Sequence, residues 1–234
     1  MAAPVTLLTI RTRVLALADL ENAADFASTT VVNDLINDSL AELYDLLRSA
    51  YGQEYHRKST TITTANGTAT YSLPSDFLSL LYVEYVISQA ERVRLTPYTI
   101  QNATKIRNAG TWSNIDPVYY RLGLRTSTTT SETLLIEFLP TPTGVYSVDV
   151  HYVPTAKVLS GDTHVFDAVA GWEAYTVWDV VAALLQKEES DASYAMMKRD
   201  AVKARIMELA GARDQGSPEY MADTEEDYTL PPWM

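Results

Sequence analysis

The chain has 234 residues, enough for one large domain or two small ones, and 47% of them are hydrophobic against 21% charged, so it can bury a core. It has no cysteine, which excludes disulfides and thiolate metal sites and fits a reducing compartment. Thirty acidic residues against 18 basic ones give a net charge of −12. That argues against gripping nucleic acid by neutralising phosphates, and suits either a surface that DNA slides past or simply a soluble acidic protein.

The N-terminal stretch MAAPVTLLTIRTRV lacks the basic start and cleavage site of a signal peptide. No apolar run approaches the roughly 20 residues that a membrane-spanning helix needs, so no membrane partner is expected. Residues 5–18 place Leu7, Ile10, Val14 and Leu17 at helical spacing. A second helix is expected over about 29–50, capped by Ser28 or Thr29, with a stripe of Val32, Leu35, Ile36, Leu40, Leu43 and Leu47. Asn33, Asp34, Asp38 and Glu42 face away from that stripe, and Gly52 stands where a helix should stop.

From about 58 to 154 the period changes to that of strands, in a segment rich in threonine and tyrosine. STTITTANGTATYSL reads as a hairpin turning at Asn66-Gly67. LLYVEYVIS and ERVRLTP read as a second pair around Ser88–Ala90, and TPYTIQNATKIRNAG as a short helix with Thr96 as cap and Pro97 at its first position. PVYYRLGLR and TLLIEFLP add further strands. IEFLPTPTGVYSVDVHYVP (136–154) reads as a hairpin with a dry face of Ile136, Phe138, Val148, Val150 and Tyr152 and a wet face of Glu137, Asp149 and His151. Pro140 and Pro142 end its first strand. Six to eight strands of this kind close as a barrel or a sandwich.

Helical spacing returns after SGDTH. Asp162 is the expected cap of a helix carrying Phe166, Val169, Trp172, Tyr175, Val177, Trp178, Val181, Leu184 and Leu185, a stripe too wide for a single neighbour. A fourth long helix is expected over about 191–211, with Tyr194, Met197, Val202, Ile206 and Leu209 and a stop at Gly211. The segment 216–234, GSPEYMADTEEDYTLPPWM, holds five acids, no base and three prolines, so alone it cannot bury enough to fold. Its Tyr220, Met221, Tyr228, Leu230 and Trp233 mark it as a docking peptide rather than a frayed end. The fold class is therefore α+β: residues 1–55 and 160–212 form a four-helix bundle, 58–154 an inserted antiparallel β-rich domain, and 214–234 an extended C-terminal arm.

Catalytic signatures are missing. His56, His151 and His164 have no metal-ligand spacing and read as satisfied or solvated side chains. Asp25, Asp34, Asp38 and Asp45 read as solvated helical charge, and no nucleophile elbow, phosphate loop or dinucleotide glycine pattern occurs. No enzyme activity, cofactor or metal is expected. Tyr82, Tyr85, Tyr119, Tyr120, Tyr146 and Tyr152 suit packing, a protein interface, or sugar stacking in a carbohydrate-binding module, and an unrecognised hydrolase is a distant third reading.

YSLPSDF (71–77) leading into a strand, PVYYRLG (117–123) ahead of residues 136–154, and an acid-capped helix from near Asp162 follow one another in an order that resembles the head-to-tail adaptor proteins of tailed bacteriophages, the tail tubular protein A type, over roughly residues 5–212. The resemblance implies a virion protein at the head–tail interface, assembled in the host cytoplasm. It further implies a homo-oligomeric ring of twelve copies under the portal protein, a tail nozzle or other tail protein below, and DNA passing through without specific binding. Twelve copies at −12 each carry −144, a wall of the same sign as DNA. Within that frame the C-terminal arm reaches the portal through Tyr220, Met221, Tyr228, Leu230 and Trp233, and Trp172, Tyr175, Trp178 and Tyr194 are candidates for packing between subunits.

Overall fold

A computed structural model of the chain describes residues 5–23, 25–108, 117–125, 133–166 and 171–213. The C-terminal arm and Val169 of the expected sequence stripes lie outside them. The class is α+β. Helices α1 (Leu7–Leu17) and α2 (Thr29–Tyr51) precede the strands, α3 (Ile100–Asn108) lies among them, and α4 (Glu173–Lys187) and α5 (Ser193–Arg213) follow.

Short polar caps start the first two helices. The Thr6 hydroxyl accepts from the Thr9 amide at 3.3 Å, and the Ser28 hydroxyl accepts from the Val31 amide at 3.4 Å. Leu7, Ile10 and Val14 are buried as the spacing requires, but Leu17 is exposed, because α1 ends there. On α2, Val32, Ile36, Leu40, Leu43 and Leu47 are buried, and Gly52 follows at φ +87°, a conformation that favours glycine. Helices α1, α2, α4 and α5 share one apolar core. Helix α4 lies against each of the other three, so its wide stripe of Tyr175, Val177, Val180, Val181 and Leu184 is covered inside the subunit. No second copy is needed for that.

Two helix boundaries after the strands differ from the sequence expectation. Asp162 does not cap α4: that helix begins eleven residues later, Phe166 and Trp172 precede it, and the Asp162 carboxylate takes a hydrogen bond from Arg11 at 2.8 Å while its carbonyl accepts the Leu8 amide in the first turn of α1. Helix α5 runs through Gly211 to Arg213. It packs through Ala195, Val202 and Ile206, while Tyr194, Met197 and Leu209 of the expected stripe face solvent. Arg199 occupies the same row and reaches Asp179 of α4 at 3.1 Å, so α5 replaces one apolar contact with an ion pair.

Among the described residues, eight strands form two four-stranded sheets rather than a closed barrel. One has the order β1 (Lys58–Thr63), β8 (Ser147–Pro154), β3 (Phe77–Val86) and β4 (Arg92–Arg94). The other has the order β2 (Thr70–Ser72), β7 (Thr133–Leu139), β6 (Tyr119–Arg125) and β5 (Thr96–Pro97). All pairs are antiparallel except β5 with β6. Only the β3–β4 hairpin joins strands as expected, with Tyr85 opposite Val93 and the Ser88 hydroxyl accepting the Ala90 and Glu91 amides in its turn. Thr96 and Pro97 belong to β5 and do not start α3; there the Thr99 carbonyl accepts the Asn102 and Ala103 amides.

Neither of the other two expected hairpins forms. The Asn66-Gly67 turn and the loop after Pro140 each carry the chain from one sheet to the other, so β1 pairs with β8 and β2 with β7. The two crossings are tied together. Gly67, at φ +77°, donates its amide to the Pro142 carbonyl at 2.9 Å, and the buried Thr64 hydroxyl donates to Gly144 while accepting from the Tyr146 amide. The dry face survives this change. Ile136 and Phe138 of one sheet and Val148 and Val150 of the other are fully buried in one shared cluster, with Val83 among them.

Candidate functional site

His164 is held in a tight turn, where its Nδ1 accepts from the Ser160 amide at 3.2 Å. His56 stacks on Tyr44 with ring centroids 4.2 Å apart. His151 departs from expectation. Its strand face is turned from the core, yet the residue is buried, because the Tyr82 ring stacks on it at 4.3 Å and Glu84 stands 3.4 Å from Nε2. Around it Arg92 bridges Asp149 at 2.7 Å and Glu84 at 3.4 Å, and Arg94 lies over Tyr82. The carboxylates beside Arg92 hold its guanidinium still more firmly protonated. Glu84 and Asp149 are both matched by Arg92, as in a structural network. Among the described residues no group of three or more His, Cys, Asp or Glu could hold a metal ion, and no helix is long and apolar enough to cross a membrane.

The opposite sheet carries a smaller network. Arg121 and Arg107 both meet Glu137, and the hydrogen bond to Glu137 raises the Arg121 pKa above its ordinary value. None of the six strand-region tyrosines singled out above forms an exposed platform. Tyr120 and Tyr152 are buried, Tyr82 is sandwiched, Tyr85 meets Tyr146 edge to face at 5.5 Å, and Tyr119 packs beside Tyr98 and Leu139. A sugar face would need rings left open to solvent.

The packing candidates separate into two groups. Trp172 and Tyr175 lie in the subunit's own helical core. Trp178 is half-buried at its margin and meets Tyr194, 57% exposed, edge to face at 5.7 Å. From Tyr194 an exposed row continues along α5 through Met197 (58% exposed), Ala201, Ala204 and Met207 (48% exposed). The spacing of three to four residues puts this row on one side of the helix. Asp34, Asp38, Glu42 and Asp45 make the corresponding exposed row on α2, and it is acidic.

Sequence reasoning did not single out the junction between helices and strands. The Asn37 amide clasps the returning chain: its Nδ2 donates to the Leu159 carbonyl at 3.1 Å and its Oδ1 accepts the Leu159 amide at 2.8 Å. Tyr44 donates to the Pro154 carbonyl, and the Asp76 carbonyl accepts the Thr155 amide. Lys58 pairs with Asp76 at 2.6 Å, which lowers the Asp76 pKa and raises that of Lys58. The only signal for Asn37 was an amide one turn after Asn33, on the flank of an apolar stripe.

The described surfaces are thus built for packing, with matched charge networks, a clasped junction and one long exposed apolar row. No curated protein matches the chain. The family model for "SU10 adaptor protein" matches residues 5–224, across the helical and the strand regions alike, and the chain belongs to that family of phage head–tail adaptors.

Proposed function

We propose that this structural adaptor works as a ring of twelve copies, coaxial with the portal, that joins the phage head to the tail and continues the DNA channel. The observation that carries the reading is the family match over residues 5–224, which takes in every described element. The exposed apolar row on α5 supports it: Tyr194, Met197 and Met207 are large side chains that gain from being covered by another protein. The acidic surplus supports it as well, since a like-charged wall lets DNA pass without adhering.

In this reading the helical core and the β-rich region are separate building blocks. The β-rich region is a rigid insertion against which neighbouring subunits and tail proteins pack, and the C-terminal segment engages the portal. The ring works by packing, without a cofactor or a catalytic step. Mixing purified full-length protein with portal at micromolar concentration, followed by sizing and imaging, tests the proposal. A coaxial ring on the portal is expected, and a protein that stays monomeric beside it overturns the reading. The engaged tyrosines leave the carbohydrate-binding alternative without a supporting observation.

A further inference from the structure

A groove of roughly 620 Å³ lies where the helices meet the strands. Leu40, Leu43, Leu159 and Phe166 form its apolar lining, and Val158 stands at its mouth, 67% exposed. Arg57, Lys58 and Lys157 also line it, and the one acid among its described lining residues, Asp76, is already paired with Lys58. A cationic rim is unexpected on a chain with net charge −12.

The same chain contains a segment of complementary chemistry. Residues 219–233 include Glu219, Asp223, Glu225, Glu226 and Asp227 with no base, followed by Tyr228, Leu230 and Trp233. The segment's point of departure suits the groove. Arg205 of α5 donates to the Gly171 carbonyl at 3.3 Å and stands over the Trp172 ring at 5.1 Å, so the C-terminal half of α5 lies beside the start of α4. The start of α4 also meets the groove's own helix, with the Tyr175 hydroxyl 3.5 Å from Glu42, and Phe166 lies six residues before Trp172. From Asp214 to Leu230 the extended chain reaches up to about 55 Å. That exceeds the roughly 35–45 Å across a compact chain of this length.

We propose that the groove holds the chain's own C-terminal segment, with Tyr228, Leu230 and Trp233 against the apolar lining and the acids at positions 225–227 against Arg57 and Lys157. Tethering gives the segment an effective concentration near the millimolar range. At micromolar protein, its own groove therefore fills before that of a second copy. This claim stands apart from the proposed portal engagement, to which it adds only that a portal must displace the segment from the groove.

The absence of cysteine allows a direct test in the full chain. Val158→Cys is combined with Leu230→Cys, and disulfide formation under a mild oxidant is followed by non-reducing electrophoresis and intact mass. The comparison pair is Val145→Cys with Leu230→Cys, since Val145 is 74% exposed on the loop between β7 and β8 and reports random encounter. The expected result is a cross-linked monomer, formed at least about tenfold faster for the 158–230 pair. Adding Tyr228→Ala and Trp233→Ala should reduce that rate to the comparison value. Equal rates for the two pairs, a rate unaffected by loss of the anchors, or a product that is only a covalent dimer overturns the proposal. None of these outcomes involves portal, so a failure here is distinct from a failure of the ring reading.

Discussion

Replacing Asn37 with alanine tests how the chain is fastened where it returns from the strands to the helices. Asn37 makes two opposed hydrogen bonds to Leu159, at 3.1 and 2.8 Å, in the manner of a strand neighbour. Leu159 is 1% exposed, so its amide and carbonyl have little access to water once the side-chain amide is gone. A buried backbone group left unsatisfied costs about 1–3 kcal/mol, and partial water entry through the adjoining groove keeps the total for the pair near 2–4 kcal/mol. For a chain of this size each kcal/mol moves the melting temperature by about 2–4 °C, so the variant should melt about 5–15 °C lower. The assay is urea unfolding followed by circular dichroism, with the midpoint falling and the slope unchanged. Asn37→Asp should be at least as harmful, because it puts an acceptor opposite the Leu159 and Asn33 carbonyls. A loss below about 1 kcal/mol for Asn37→Ala would refute the clasp.

Three further outcomes follow from the same structure. Phe138→Ala removes a fully buried ring from the core shared by the two sheets and should cost about 3–5 kcal/mol; if residues 58–154 are a separate block, limited proteolysis should cut there first and spare the helices. Met197→Lys changes an exposed position, so stability should move by less than about 0.5 kcal/mol while ring formation is lost, as read by denaturation and sizing of the same sample. Asp76 is held below its ordinary value of 3.8 by the hydrogen bond from Lys58, so its contribution is present above pH 3.8 and lost as pH falls through the lowered value; the gap in urea midpoint between wild type and Asp76→Asn should close over that acidic range and stay constant above it.

The helices were legible because their signals are local. Ser28, Gly52 and the stripe from Val32 to Leu47 all lie within one turn or two of the groups they satisfy. Strand faces were legible for the same reason, since Ile136, Phe138, Val148 and Val150 alternate along the chain and are buried. Strand partners were not. A turn such as Asn66-Gly67 permits a hairpin, but it also permits a crossing between sheets, and the Thr64 and Pro142 contacts that decide the matter come from some 80 residues away. His151 was misread because alternation reports which face a side chain takes and says nothing of Tyr82 lying over it. On α5 the pattern pointed to Tyr194 and Met197 as well as to Val202 and Ile206, which do pack inward, while the rest of the inward row is the small Ala195 and Arg199, whose partner Asp179 is on another helix. Asn37 and the groove beside it depend on a chain segment more than 100 residues later and left almost no local trace.

The most direct test of the account is electron microscopy of the full-length protein mixed with its portal, because it reads ring, axis and attachment in one image. Twelvefold particles are expected, with the adaptor coaxial on the portal and one continuous channel through both. Unattached monomers, or adaptor bound away from the portal axis, would contradict it.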